Sequence, residues 1–258
     1  MPVQAAQITA WIAAFAWALS RVGGLFLVAP VLGATTIPVN IRVGIALALV
    51  VVIAPMAPMG LEPMSGQGIG VLAQQMLLGA LIGFVLRIVF EAVAFGAQLI
   101  STSMSLSYAE TVNPLGGGSS TVVSQFYTGM ITLLFLAMDG HLQLIGLLAD
   151  SFQTTPIGGA GVGTDEIWGV LMWTGHLFSG ALRVALPALT ALLVVNLGFG
   201  AISRSAPSMN LFAVGFPITV SLGLVAIWLA LRQLPGAFDS LSADGWATMR
   251  GLIGGGSP

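Results

Sequence analysis

The sequence contains no lysine and no cysteine, and it has few charged residues of any kind. Seven arginines and nine acidic residues make up 6% of the chain, whereas about a quarter of an average soluble protein is charged. The absence of cysteine excludes disulfides, thiolate metal sites and cysteine nucleophiles. A net charge of −2 without a basic patch argues against nucleic-acid binding, which depends on neutralising phosphates.

Long uncharged runs occupy most of the chain, and 57% of its residues are hydrophobic. Since a helix rises about 1.5 Å per residue, roughly 20 apolar residues cross a hydrocarbon layer of ~30 Å. We therefore predict an all-α polytopic membrane protein in a single domain, residues 1–258. Its apolar surface must face a bilayer or other proteins. The first basic residue is Arg21, so we expect no cleavable signal sequence. The runs that lack every charged residue include 22–41, 43–61, 92–109, 111–138, 184–203 and 205–231.

Proline and glycine divide these runs into predicted helices. The segment 71–108 is either two helices or one that leaves the membrane plane, because 38 helical residues exceed the thickness of a bilayer. A loop is predicted at 59–70, a flexible linker at 154–164, and a C-terminal tail at 239–258 that contains an amphipathic helix, 239–253. The other predicted helices are 4–28, 39–56, 125–151, 168–203 with a kink at Pro187, and 210–234.

The segment 106–123 is polar and rich in glycine, yet Glu110 is its only charged residue. Its centre, Asn113-Pro114-Leu115-Gly116-Gly117-Gly118, cannot form a stable helix. Non-helical backbone at membrane depth is tolerated only where it is buried in protein or lines a cavity. Composition alone leaves two interpretations open: a loop that occupies a pore, or an ordinary surface loop.

The charged residues inside apolar stretches are the next candidates for function. Arg87 and Glu91 are one helical turn apart, so they either neutralise each other or contact a partner subunit. Arg183 and Arg204 have no acid within four residues, and their partners must come from elsewhere in the fold, another chain or lipid headgroups. Asp139-Gly140-His141 favours a turn that interrupts a helix and contains a hydrogen-bonded histidine, rather than an acid–base pair.

Signatures of enzymes are missing from the sequence. The two histidines have no metal-binding spacing, and the glycine-rich stretch 158–163 is not followed by the lysine of a phosphate-binding loop. We predict no catalytic residue, no cofactor and no metal site, and therefore a protein that is not an enzyme.

Several motifs together resemble the FliR/SctT family, the export-gate subunits of type III secretion systems. The longest motif is Arg204-Ser-Ala-Pro-Ser-Met-Asn-Leu-Phe-Ala-Val-Gly-Phe-Pro217. The Met-Asp-Gly-His sequence at residues 138–141, which ends another matching patch, favours the flagellar branch over the injectisome branch. The other matching patches are Leu134–His141, Gln98–Ser101, Asn113-Pro114, Arg21-Val-Gly-Gly, Pro30, Pro38 and Arg42.

The resemblance implies a non-catalytic subunit of the flagellar protein export gate. Such subunits join FliP-like and FliQ-like chains in a helical pore assembly, built from bent helical hairpins, through which unfolded proteins pass. FlhB-like and FlhA-like components contact this gate. The resemblance places the protein in the bacterial inner membrane at the flagellar basal body, in contact with lipid, with part of the assembly above the membrane plane.

The resemblance also assigns residues, and it favours the pore interpretation of 106–123. The predicted plug loop includes Leu106, Tyr108, Asn113, Pro114, Leu115, Gly116, Gly117 and Gly118. The predicted subunit-interface or structural residues are Arg87, Glu91, Asp139, His141, Arg204, Asn210, Phe212 and Pro217. Two alternatives remain: a small-solute secondary transporter, suggested by buried arginines and broken helices, and a purely structural scaffold.

Overall fold

The structure is a computed structural model that describes residues 5–34, 37–56, 65–106, 121–159, 161–205 and 211–254. Within these ranges the chain is helical and contains no strand. A short 3-10 turn, Ala54–Met56, follows the second helix. The helices are α1 (Ala5–Val28), α2 (Val39–Ile53), α3 (Gly66–Ser103), α4 (Val122–Ala137), α5 (Gly140–Thr154), α6 (Thr164–Trp173), α7 (His176–Ser205), α8 (Leu211–Ala230) and α9 (Leu234–Ile253).

Several of these helices are long and apolar enough to cross a membrane. Among the described residues there are 4 such spans, or 6 if each of two bent helix pairs counts as one. One bent pair joins Gly215–Ala230 to Leu234–Ile253 at an angle of 58°; the other joins α4 to α5. The prediction of an all-α polytopic membrane protein with bent helices is confirmed. The single spans are Gln7–Val28, Val39–Met56, Gly66–Ser103 and Thr164–Ile202.

Helix α3 corrects two of the predicted boundaries. It is one continuous helix of 38 residues, so the first alternative for 71–108, two separate helices, is wrong. It also begins at Gly66, inside the predicted loop 59–70, because the Ser65 hydroxyl accepts a hydrogen bond from the Gly68 amide at 3.0 Å. A serine that caps the first turn in this way compensates for the glycines that follow it.

Helix α4 begins inside the predicted plug segment 106–123. Val122 and Val123 are already helical, and Thr121 precedes the helix. The Thr121 hydroxyl accepts a hydrogen bond from the Ser124 amide at 3.2 Å, which is the geometry of a helix N-cap. The predicted start of this helix at residue 125 is therefore late by about one turn.

The turn predicted at Asp139 is present. Asp139 has a φ of 55°, in the left-handed region that Asp tolerates better than most residues, and it separates α4 from α5. Gly140 is required there, because a Cβ would lie 2.5 Å from ring carbons of Phe135. The sequence predicts a hydrogen-bonded His141. Its Nδ1 is buried and has no hydrogen-bond partner in the described part of the chain, so the prediction is wrong for this atom.

The segment predicted as a flexible linker, 154–164, contains a buried side chain and hydrogen-bonded groups. Ile157 is buried in the predicted linker 154–164, and Thr155 there makes hydrogen bonds through both its hydroxyl and its carbonyl group. Pro187 lies inside α7 without ending it; the break falls earlier, at residues 174–175. The C-terminal helix begins at Leu234 rather than residue 239, and buries one side that includes Phe238 and Leu241.

The chain forms two compact units. The first contains residues 1–88, 135–174 and 243–258, and its core includes Trp17, Leu25 and Ile82. The second contains residues 89–134 and 175–242, where Phe90 and Phe238 pack edge to face with ring centroids 5.9 Å apart. In the second unit α7 and α8 form a helix pair.

Candidate functional site

Helices α1 and α3 of the first unit approach each other closely along a row of glycines. A Cβ on Gly79 would overlap the carbonyl oxygen of Arg21, and one on Gly24 would overlap that of Met76. One turn further along α3, a Cβ on Gly83 would lie 3.0 Å from the backbone oxygen of Leu25. Small residues four apart let membrane helices pack backbone against backbone, so these glycines determine the spacing of the pair.

This close approach buries Arg21 completely. Its Nε donates a hydrogen bond to Gln75 Oε1 at 2.7 Å, and its Nη2 contacts the same oxygen. Nη1 donates to Ser151 Oγ and Nη2 to the carbonyl oxygen of Thr155, each at 2.9 Å. The guanidinium carbon also lies 4.1 Å from the centre of the Phe152 ring, within range of a cation–π interaction.

The groups that contact Arg21 are all neutral. Removing a charge from water is costly, and the cost falls only where hydrogen bonds of good geometry replace the lost solvation. Ser151 donates its own hydroxyl proton to the carbonyl of Leu148 at 2.6 Å, which leaves a lone pair of its oxygen for Arg21. Thr155 extends the network, because its Oγ1 donates to the Ile253 carbonyl at 2.7 Å. Arg21 thus joins α1, α3 and the ends of α5 and α9.

A second polar cluster lies in the other unit, beside the predicted plug loop. Oε1 of Gln98, near the end of α3, accepts hydrogen bonds from Thr121 Oγ1 at 3.0 Å and Ser124 Oγ at 3.1 Å. Ser124 Oγ also lies 3.1 Å from the carbonyl of Ala94. We call Gln98, Thr121 and Ser124 the stem clamp, because they hold together the two helix ends from which the predicted loop leaves and to which it returns.

Most of the predicted plug residues fall outside the described chain. Leu106 is described; it ends the turn after α3, and its amide donates to the Ser101 carbonyl at 3.2 Å. The residues that lie outside the described ranges are Tyr108, Asn113, Pro114, Leu115, Gly116, Gly117 and Gly118.

The predicted interface residues lie on different elements, and most of them are exposed. Arg87 and Glu91 are exposed one turn apart on α3, and Asp139 is exposed at the turn before α5. Arg204 near the end of α7 and Pro217 inside α8 are exposed as well. His141 is half-buried, Asn210 lies outside the described ranges, and Phe212 lies in α8 with a side chain that is not described.

Exposed apolar side chains cover much of α2, α7 and α8. Val52 is 73% exposed on α2, and Val194 on α7 is 70% exposed. Contiguous apolar surface of this kind indicates contact with a membrane or with other proteins. It agrees with the low charge of the sequence.

Two grooves open in the first unit, each about 450 Å³ in volume. One is apolar and lies between α1 and α2, with Arg42 at its edge. The other lies between α5 and α9, and Asp150 and Arg250 both line it. Among the described residues no three His, Asp or Glu side chains are grouped closely enough to hold a metal ion.

Comparison with known proteins decides the family. The profile described as bacterial export proteins, family 1, matches residues 12–245. The chain belongs to this family. It is 35% identical over 235 residues to the flagellar biosynthetic protein FliR of Pectobacterium carotovorum subsp. carotovorum, covering 91% of this chain and 90% of that protein.

Two further relatives of this export-family chain carry the same name. FliR of Escherichia coli (strain K12) is 33% identical over 239 residues, which is 92% of this chain and 91% of the relative. FliR of Bacillus subtilis (strain 168) is 23% identical over 245 residues, 93% and 94% of the two chains. The FliR/SctT resemblance seen in the sequence motifs is thus confirmed.

Sequence reasoning missed the polar groups at the centre of this export-family chain. Arg21 was noted only as part of a motif, and Gln75 and Ser151 were not singled out. A signal was available, because Gly79-Ala-Leu-Ile-Gly83 is a small-residue repeat typical of packed membrane helices. An arginine inside an apolar helix, together with a glutamine four residues before that repeat, predicts a buried polar contact between the two helices.

Proposed function

We propose that the chain is a non-catalytic subunit of the flagellar protein export gate, and forms part of the pore through which unfolded flagellar proteins are secreted. The observation that carries this proposal is the similarity to FliR proteins over nine tenths of the chain. It gives no support to the small-solute transporter.

We propose FliP-like and FliQ-like chains as its partners in the gate, with FlhB-like and FlhA-like components in contact with the assembly. The exposed apolar sides of α2, α7 and α8 support this, since they need a cover of protein or lipid. Arg87, Glu91, Arg204, Asn210 and Phe212 are our candidates for subunit contacts. We place the assembly in the inner membrane at the flagellar basal body, with part of it above the membrane plane.

In this proposal the segment between α3 and α4 forms the plug of the pore. The stem clamp supports it, because Gln98 ties the end of α3 to the start of α4 at the point where that segment begins and ends. A clamp at the base of a loop restricts movement to the loop itself.

The proposal is tested by complementation. The chain is expressed in a flagellated bacterium that lacks its own FliR, and flagellar proteins are measured in the culture medium. We expect restored secretion, and restored swimming as its consequence. Secretion that stays at the level of the empty vector, despite normal amounts of the chain in the membrane, would contradict the proposal.

A further inference from the structure

The apolar groove of the first unit has a defined shape between two apolar helices. Its walls come from one side of α1, including Gly23 and Leu27, and from one side of α2, including Val43, Ala46 and Leu47. Arg42 is the charged residue that lines it. Both α1 and α2 contain candidate membrane spans, so the groove lies between two helices that are long and apolar enough to cross a membrane.

We propose that this groove binds one anionic phospholipid, with an acyl chain between α1 and α2 and the phosphate at Arg42. This assignment is separate from the export function and does not depend on it. Three features of the described residues carry it: the cross-section of the groove, the position of Arg42, and the open backbone at Gly23.

The cross-section of the groove is apolar, as a hydrocarbon chain requires. The α1 residues that line the groove run from Leu19 to Leu27, which corresponds to ~12 Å of helix. Apart from Ser20 and Arg42, every residue that lines it is apolar or glycine. An acyl chain in the groove therefore gains van der Waals contacts and leaves few polar groups without hydrogen bonds.

Arg42 lies where a lipid phosphate would be. It belongs to the first turn of α2, and residues 43–61 after it carry no charge, so it marks one end of an apolar span. Its Nη1 donates to the Gly33 carbonyl at 3.0 Å, which holds the guanidinium beside the turn between α1 and α2. That bond uses one N–H of a group that has five, and guanidinium binds phosphate oxygens well.

Gly23 leaves the groove open where a side chain would fill it. A Cβ at this position would meet no atom within 4 Å, in contrast to Gly24 beside it, whose Cβ would overlap backbone. A larger residue at position 23 therefore occupies the groove without disturbing the packing of α1 on α3. Gly44 on α2 is similarly open but does not line the groove, and it provides a matched control.

The test measures the lipid that stays bound to the full chain. The protein is reconstituted in mixed phosphatidylglycerol and phosphatidylcholine, transferred to mild detergent and examined by native mass spectrometry. We expect one retained phosphatidylglycerol per chain in the wild type and in Gly44→Leu. Gly23→Leu should reduce the retained lipid about tenfold, equivalent to about 1.4 kcal/mol. Equal retention by Gly23→Leu and Gly44→Leu would overturn the proposal.

The charge is tested separately, so the result does not depend on one variant. Arg42→Gln should lose the preference for phosphatidylglycerol over phosphatidylcholine, while Arg42→Lys and Arg183→Gln, at an exposed arginine of the second unit, should keep it. If Arg42→Gln keeps the wild-type preference, the lipid phosphate does not bind at Arg42, and the proposal is overturned. Finally, a photoreactive phenylalanine derivative at Ala46 in the assembled complex should form adducts with lipid. Adducts with a protein subunit instead would show that a partner fills the groove and would overturn the assignment.

Discussion

The guanidinium of Arg21 and the side-chain oxygen of Gln75 are hydrogen-bonded to each other inside the first unit, 54 residues apart in the sequence. The glycines of α1 and α3 make this contact possible, because they let the two backbones touch. A neutral amide, rather than a carboxylate, accepts the hydrogen bonds of the guanidinium. The stability of this buried contact therefore depends on hydrogen-bond geometry more than on ion pairing.

The first prediction concerns this pair. Gln75→Leu leaves the buried guanidinium without its principal acceptor, and we expect it to lower the free energy of unfolding by about 3–5 kcal/mol. The measurement is denaturant unfolding of the full chain in detergent. Gln67→Leu, on an exposed turn of the same helix, is the control and should change stability by less than about 0.5 kcal/mol.

A double variant checks the cause of that loss. Arg21→Met removes the charge and keeps an apolar chain of similar length, so Arg21→Met combined with Gln75→Leu should be more stable than Gln75→Leu alone. If the double variant loses the sum of the two single effects, the pair is not energetically coupled, and its central place in the fold is refuted.

The second prediction concerns the helix pair α1–α3. Gly79→Ala places a methyl group against the carbonyl of Arg21, so the helices must separate, at a cost of about 1–3 kcal/mol. Gly70→Ala on the same helix is the matched control, since its Cβ would meet nothing within 4 Å. It should stabilise the helix by up to about 1 kcal/mol, because alanine favours helix more than glycine does. Thermal unfolding checks both, and shifts of the same sign would contradict the packing described.

The third prediction concerns the stem clamp. Gln98→Leu removes the oxygen that Thr121 and Ser124 both bind, so the start of α4 should fray. We expect faster amide hydrogen exchange in residues 121–125 than in the wild type. Gln98→Glu keeps an acceptor at the same place and should retain slow exchange. Exchange that is equally slow in both variants would contradict this, and would mean that the N-cap by Thr121 alone stabilises this helix end.

The fourth prediction concerns the proposed plug. Replacing Gly116, Gly117 and Gly118 with bulkier residues should block export or alter its gating, because a close-packed loop in a pore has no room for side chains. Swimming in soft agar and ion leakage in membranes measure the two effects. Variants with wild-type motility and wild-type closure to small ions would refute the plug assignment. A complex that still forms and exports normally would instead support the scaffold alternative.

Local sequence patterns predict the fold class correctly, but they do not predict all helix starts or the buried polar contacts. Low charge and apolar runs of about 20 residues are sufficient to predict an all-α membrane protein. Only helices and closed β-barrels satisfy their backbone in lipid, and the strands of a barrel are about half that length. The starts of α3 and α4 were misplaced because the hydroxyls of Ser65 and Thr121 cap glycine-rich or β-branched first turns that composition alone assigns to loop. The Asp139 turn could be predicted, since it depends on adjacent residues only.

The Arg21 network could be predicted only in part, from the small-residue repeat at residues 79–83. Its groups lie in α1, in α3 and at the end of α5, and they meet only because the glycines bring those helices together. The charged residues that stood out in the sequence, Arg87 and Arg204, are instead on the surface. An exposed arginine and a buried one look alike in a sequence, since both interrupt an apolar run.

Membership of an export gate is the central claim, and purification tests it most directly. The chain, tagged and expressed with FliP-like and FliQ-like chains of the same bacterium, is extracted in mild detergent and weighed as an intact complex. We expect one large complex of fixed composition that contains all three proteins. A chain that purifies alone, or a small oligomer that moves a solute across liposome membranes, would contradict the account.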